Sequence, residues 1–301
     1  MALQKEIWLS DIVAPLFADN TFAARSIDHS GFVNNKRVHV PNAGSAPTIV
    51  KNRSTFPAAA GGRTDADLTY DINEYTSNPI HIKNAEQVEL SYDKRQSVIA
   101  QMRDALTDAV HGDLVDAWLA NVTPTIKSLA NFGVSDVLAI ATTFNSQDIP
   151  QTGRCMLLNA QAYGKLLDSL TSQQSQAFLA SADAQKGIVG KLYGFDFYLR
   201  SALSSADADI FAAAWQQDCV SRALGETKIF NKDDDPSYYG DILSALVRAG
   251  GAAIRQDGKG IAALKNGSTS ENAETPANTE DPANTEDPAN TEDPENTGNP
   301  E

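Results

Sequence analysis

Asp233, Asp234 and Asp235 stand together in NKDDDPS, three carboxylates that could gather a hard cation for metal-dependent hydrolysis. A calcium loop also needs alternating ligands, a turn glycine and a distant glutamate. This run has none of them and reads as a solvated acidic turn. Phosphate binding is the second chemistry to weigh. Gly187, Gly190 and Lys191 in GIVGKLYG give GxxGK, two residues short of a phosphate-cradling loop, and Leu192 stands where the metal-binding hydroxyl belongs. That stretch reads as a turn before a strand. His29, His39, His81 and His111 are scattered without ligand spacing, and the sequence contains no HExxH, GxSxG or CxxC. It therefore assigns no catalytic residue, no cofactor and no metal. An enzyme with a site dispersed over residues 123–255, built on Asp233 to Asp235 and a histidine, stays open as an alternative.

The 301 residues are 42% hydrophobic, enough for a sizeable core in one large domain or two interlocked ones. Formal net charge is -15, unevenly placed. No Lys or Arg follows Lys265, whereas ten acids do, which leaves the body at about -5. A body of that charge offers no broad basic face, so tight binding of free DNA is not expected. Cys155 and Cys219 read as thiols of a reduced compartment. MALQKEIWLSDIV lacks a signal-peptide core, and no window approaches about 18 uninterrupted apolar residues. The expectation is a cytoplasmic protein without a membrane partner.

The elements that would carry any site fall into six regions. Residues 1–30 form an N-terminal arm with Ile7, Trp8, Ile12, Val13 and Leu16 at near-helical spacing, too short for a core of its own. It packs on its own body or on a neighbour. Residues 31–92 switch to period two, in KRVHVP, DLTYDINEY, NPIHIK and EQVELSY. Between Pro41 and Thr64 lies a Pro- and Gly-rich excursion with little to bury, of the kind that serves a function or needs a neighbour to order it. Residues 93–122 carry the longest helical signal, with Val98, Met102, Leu106, Val110, Leu114 and Trp118 at i, i+4 steps. Residues 123–236 alternate helix-like and strand-like stretches. Residues 237–266 return with paired Gly250 and Gly251 that leave strand or helix undecided.

Residues 267–301 contain three PANTED repeats. Regular proline, dense negative charge and no large apolar side chain leave nothing to offset the entropy of ordering, so this tail is expected to be disordered.

An arm, a projecting excursion, a long helix and a compact mixed subdomain suit interlocking subunits. In that order the chain resembles tailed-phage major capsid proteins of the HK97-like fold, across about residues 1–265. Four stretches carry the likeness: NKRVHVP (35–41), LTYDINEYTSNPIHIKNAEQVELSYDKRQSVIAQMRDALTDAVHGDLVDAW (68–118), GRCMLLNAQAYGKLLDS (153–169) and GIVGKLYGFDFYLRSAL (187–203). They match the entry to an extended loop, its return into a spine helix, an axial-domain strand and helix, and the strand that follows.

The resemblance implies an α+β fold: N-terminal arm, extended β-hairpin loop, peripheral domain with a long spine helix, and axial domain. It implies a homo-oligomer of hexamers and pentamers closing around packaged double-stranded DNA. Its partners would be a separate scaffolding protein, a portal protein and decoration proteins, in the host cytoplasm during assembly and in the virion capsid afterwards. An encapsulin-like compartment shares the fold and stays open. Under this reading Trp8, Ile49, Val50, Lys51, Arg53 and Phe56 are expected at inter-subunit contacts, the apolar ones burying only on assembly. Arg25, Lys36 and Arg37 are expected either to face DNA or a charged neighbour at the inner surface, or to be solvated. Lys51 lies in the loop, but no motif identifies partners for a covalent crosslink.

Overall fold

The computed structural model describes residues 2–42, 49–54, 56, 66–83, 94–255 and 257–267. The strand expected at Val88 and Leu90 and the PANTED tail lie outside these residues.

The longest helix, α2 (Lys94–Leu119), follows the arm helix α1 (Ala2–Val13) in chain order and spans about 39 Å at 1.5 Å per residue. The i, i+4 stripe expected from the sequence is the buried one: Val98, Met102, Leu106, Val110, Leu114 and Trp118 are all nearly inaccessible. Each such side chain contributes roughly 1.5–3 kcal/mol on burial.

One face of α2 rests on a sheet in which β1 (Ile27–Asp28), β12 (Val220–Asp235), β13 (Gly240–Ala253) and β5 (Asn73–Thr76) are neighbours, with β6 (Ile80–Lys83) also paired to β13. In β13, Leu243, Ala245, Val247 and Ala249 alternate inward against α1 and α2, and the residues between them face the other side. A smaller sheet, β2 (Val33–Asn34), β3 (Arg37–Asn42) and β4 (Ala66–Asp71), forms the base of the extended loop, in the register Val38 opposite Tyr70.

The second large sheet has the order β7 (Thr125–Lys127), β14 (Ile261–Asn266), β11 (Ile210–Gln216), β8 (Arg154–Leu158), β10 (Phe195–Leu199), β9 (Gly190–Leu192). Helices α3 (Val134–Ser146), α4 (Ala160–Ser169) and α5 (Ser172–Ala180) cover one face through Phe144, Leu166 and Phe178. The end of α2 and the arm cover the other through Trp118 and Phe22. Strand β8 is buried at all five positions because both faces are covered, which explains the apolar run at 155–158; the buried Arg154 before it is met by the Pro150 carbonyl and Asn145.

The structure differs from the sequence reading in the C-terminal third. The boundary at 236/237 falls inside the β12–β13 hairpin, two strands of one sheet paired from Val220↔Ala253 to Asp235↔Gly240. β14 belongs instead to the six-stranded sheet, between β7 and β11. The turn signal in DDDPSYYG was real, but it closes a hairpin and does not divide domains.

Candidate assembly surface

The β3–β4 ladder carries the chain out of the small sheet, and the described residues between its strands stay uncovered. Ile49 is 92% exposed and Phe56 76%, with Val50, Lys51 and Arg53 also exposed. Solvating side chains of this size as a group is unusual for a finished surface. Beside the spine helix, Tyr75, Ser77, Ile80, Met102, Leu106 and Ala109 line an open, mostly apolar groove of about 570 Å³.

The arm is a different case. Trp8 and Ile12 lie one helical turn apart on α1, and Leu16 follows in the turn after it; Ile12 and Leu16 are fully buried, and Trp8 packs half-buried against the same cluster. The expectation that Trp8 is buried only by a neighbour is therefore corrected: the arm's apolar face lands on α2 and β12 of its own chain. Polar contacts lock it there. The Leu16 carbonyl sits 2.6 Å from His111 Nε2 on α2. Arg222, on β12, donates to the carbonyls of Ala23, Ala24 and Ser26 through one nitrogen and stacks on Phe17. Burial lowers the Arg222 pKa, and Asp28 opposes that.

Arg25, an inner-face candidate, is engaged within the chain. Its Nε donates to Tyr198 Oη at 2.8 Å, its Nη2 to the Asp19 carbonyl at 3.1 Å, and its own carbonyl accepts from Trp215 Nε1. Burial, ahead of every other influence, pushes the Tyr198 hydroxyl up to about 12. Arg37 forms an exposed ion pair with Asp71 across the β3–β4 ladder at 2.7 Å. Lys36 is exposed at the turn before β3.

Of the histidines, His29 lies 3.4 Å from Tyr70 Oη, the His81 ring meets the Tyr238 ring at a tilt of 55°, and His111 holds the arm. Asp235 accepts from the Ser237 amide and pairs with Lys232 at 2.7 Å, which places the acidic run at the end of β12, leading into the hairpin turn. Among the described residues no group of three His, Cys, Asp or Glu side chains could hold a metal ion. Gly187 is left-handed (φ 67), Gly190 opens β9 against the Phe178 ring, and Lys191 pairs with Asp196. Cys155 and Cys219 are free and buried, and burial drives the Cys155 thiol up to about 12.

Sequence reasoning missed the tip of the β12–β13 hairpin, where Tyr238 and Tyr239 are 55% and 81% exposed. The adjacent tyrosines before a glycine were the available signal. It also missed the edge of β12 that has no pairing strand among the described residues, because backbone pairing leaves no mark in side-chain periodicity.

No family model matches the chain, and no curated protein does. Solved structures do. A capsid structure of the cyanophage P-SCSP1u superposes with a TM-score of 0.61 at 14% identity, over 81% of this chain and 87% of that one. The mature capsid of bacteriophage PhiM1 gives 0.59 at 13% identity, over 82% and 86%. The virus-like particle from Pyrococcus furiosus gives 0.56 at 9% identity, over 87% and 99%. The spine helix beside the β12–β13 sheet, the loop hairpin and the six-stranded sheet thus build, in this chain, the HK97-like fold of phage capsid structures.

Proposed function

We propose that this chain is a major capsid protein, a structural subunit that assembles as hexamers and pentamers into an icosahedral shell around double-stranded DNA. The observation that carries the reading is the fold shared with phage capsid structures over about four-fifths of the chain. Exposed Ile49, Val50 and Phe56 on a loop with little mass of its own support it. In the shell the loop lies against a neighbouring copy, and the groove beside the spine helix offers its apolar side chains cover. Lys51 and Arg53 contact the neighbour at the loop tip. Subunit stability and assembly are then coupled, since contacts made only by the assembled state favour it by mass action.

Trp8 keeps the arm on its own body and is not proposed as a contact. Lys36 is the inner-face candidate whose side chain projects from an exposed turn, and the body's modest charge makes its contact with DNA local. No catalytic role is assigned. The six-stranded sheet with its helices forms the axial domain, and α2 with the β12–β13 sheet the peripheral domain. A separate scaffolding protein, a portal protein and decoration proteins complete the assembly, in the host cytoplasm and then the virion. Ten acids per subunit would be repelled by packaged phosphate, so the PANTED tail is placed outside the shell. Protease added to intact particles then trims it.

A second reading has one observation in its favour, the likeness to the Pyrococcus furiosus particle: an encapsulin-like compartment. Sedimentation of the purified chain, alone and with a candidate scaffolding protein, separates the two. Shells that need the scaffold support the capsid, shells formed by the chain alone support the compartment, and a compact monomer in both preparations defeats both.

A further inference from the structure

The β12 strand has β13 on one side throughout. On its other side, among the described residues, Ile27 and Asp28 pair with Ser221 and Arg222, Ser30 Oγ accepts from the Leu224 amide, and the strand then runs to Asp235 with no pairing strand. Open edges of this length are templates for another chain, and proteins usually blunt them. Here the edge is bounded by ladder irregularities between Leu224 and Thr227 and between Lys232 and Asp235, leaving Thr227–Lys232 as its regular stretch.

Its side chains form a pattern that is complementary to itself. Thr227, Ile229 and Asn231 share the face of Val247, Ala245 and Leu243, which packs on the helices; Glu226, Lys228, Phe230 and Lys232 lie on the exposed face. In an antiparallel pairing of two identical edges about a two-fold axis, a residue and its opposite share one sheet face when both copies turn the same side inward, as subunits of a shell do. The axis then passes through a residue. An axis at Lys228 sets that lysine against itself, and one at Phe230 sets Lys228 against Lys232; like charges in opposition are unfavourable. An axis at Thr227 draws the irregular stretch into the ladder.

An axis at Ile229 avoids both like-charge oppositions and keeps every pair but the terminal one, Glu226 with Lys232, inside the regular stretch. It sets Glu226 opposite Lys232 twice and Ile229 opposite itself, as an extension of the core beneath. It also sets Thr227 opposite Asn231, whose Oγ1 and Oδ1 are buried without a hydrogen-bond partner in the single chain. Within one chain Glu226 reaches Lys228 and Arg248, and Lys232 reaches the buried Asp235; Glu226 and Lys232 are themselves exposed, so a cross-strand partner can share them. The bulges at both ends bend the strand away, so the ladder stops short of Ile27 and Asp28.

We propose that β12 is an interface strand: two copies of this chain join edge to edge across a two-fold axis at Ile229, fusing their sheets between Glu226 and Lys232. This rests on the shell reading for its setting and adds a specific contact to it.

Oxidative crosslinking of single-cysteine additions tests it, with buried Cys155 and Cys219 as internal background. Opposed residues have Cβ atoms about 4.5–5.5 Å apart, close to disulfide reach. In assembled particles Ile229→Cys is expected to give a dimer band on a denaturing gel. Phe230→Cys is not, since its copies stand about 8 Å apart at Cα, past the disulfide limit of about 7 Å. If Ile229→Cys disturbs assembly, a mixture of Thr227→Cys and Asn231→Cys chains is expected to crosslink where neither does alone. Glu226→Lys is expected to lose the Ile229→Cys crosslink and Glu226→Lys with Lys232→Glu to regain it. Particles that form but never crosslink at these pairs overturn the strand pairing and leave the shell reading intact. A wild-type chain that stays monomeric under all assembly conditions overturns both.

Discussion

His111 Nε2 lies 2.6 Å from the carbonyl oxygen of Leu16, a side chain of the spine helix holding the end of the arm. Both residues are buried, and the Phe22 ring meets the imidazole edge on at 5.1 Å. Burial, the largest influence, lowers the His111 pKa below its ordinary 6.5; the Leu16 carbonyl and Asp108 oppose this and Arg200 adds to it. A folded-state pKa below the unfolded one means that the unfolded chain takes up the proton first. The stabilisation is thus complete above the unfolded pKa and is lost as pH falls through the folded one. His111→Gln, which can still donate to Leu16, is expected to flatten the fall in Tm of the monomer between about pH 7 and pH 5. His29 is also shifted down by burial and remains in both proteins, so the difference between the two Tm profiles isolates His111.

At Gly251 α2 comes close against the sheet. A Cβ there would stand 2.4 Å from the Ser221 carbonyl oxygen and 2.4 Å from Leu114 Cδ1. The Trp118 Nε1 donor bonds that same carbonyl at 2.8 Å. Gly251→Ala is therefore expected to destabilise the monomer by roughly 1–3 kcal/mol, as overpacking does. Chemical denaturation measures it, and Gly164→Ala, with open space at its Cβ, is the control.

These two sites mark how far the sequence could be read. The stripe from Val98 to Trp118 announced its own burial because a period of 3.6 is written in side chains. Strands such as Arg37–Asn42 were legible by alternation and turn residues. The last third was not, for a physical reason: β12 and β13 derive their length from pairing with each other, and Gly250 and Gly251 reflect the approach of Ile72 and Leu114, which no local pattern encodes. The exposure of Ile49, Val50 and Phe56 was legible because these apolar side chains stood among Pro and Gly with little to bury them. Trp8 was left between two placements because a short amphipathic helix fits its own body as well as a neighbour's.

Arg25 separates an internal role from an inner-surface one. Arg25→Ala removes the bond to Tyr198 and the one to Asp19, and is expected to cost about 1–2 kcal/mol of monomer stability. A protein of unchanged denaturation midpoint whose particles package less DNA would return Arg25 to the inner surface.

Phe56→Asp is expected to behave oppositely. The ring is 76% exposed, so the monomer's stability should stay within about 0.5 kcal/mol of wild type. Assembly should fail or slow, read as loss of the fast-sedimenting species at a concentration where the wild type forms particles.

Electron microscopy of the purified chain, alone and with a candidate scaffolding protein, decides whether it closes into a shell. Closed particles whose capsomers show five-fold and six-fold symmetry are expected, with one copy of the described fold per capsomer position. Dispersed monomers, or open rods without five-fold vertices, would contradict closure into a shell.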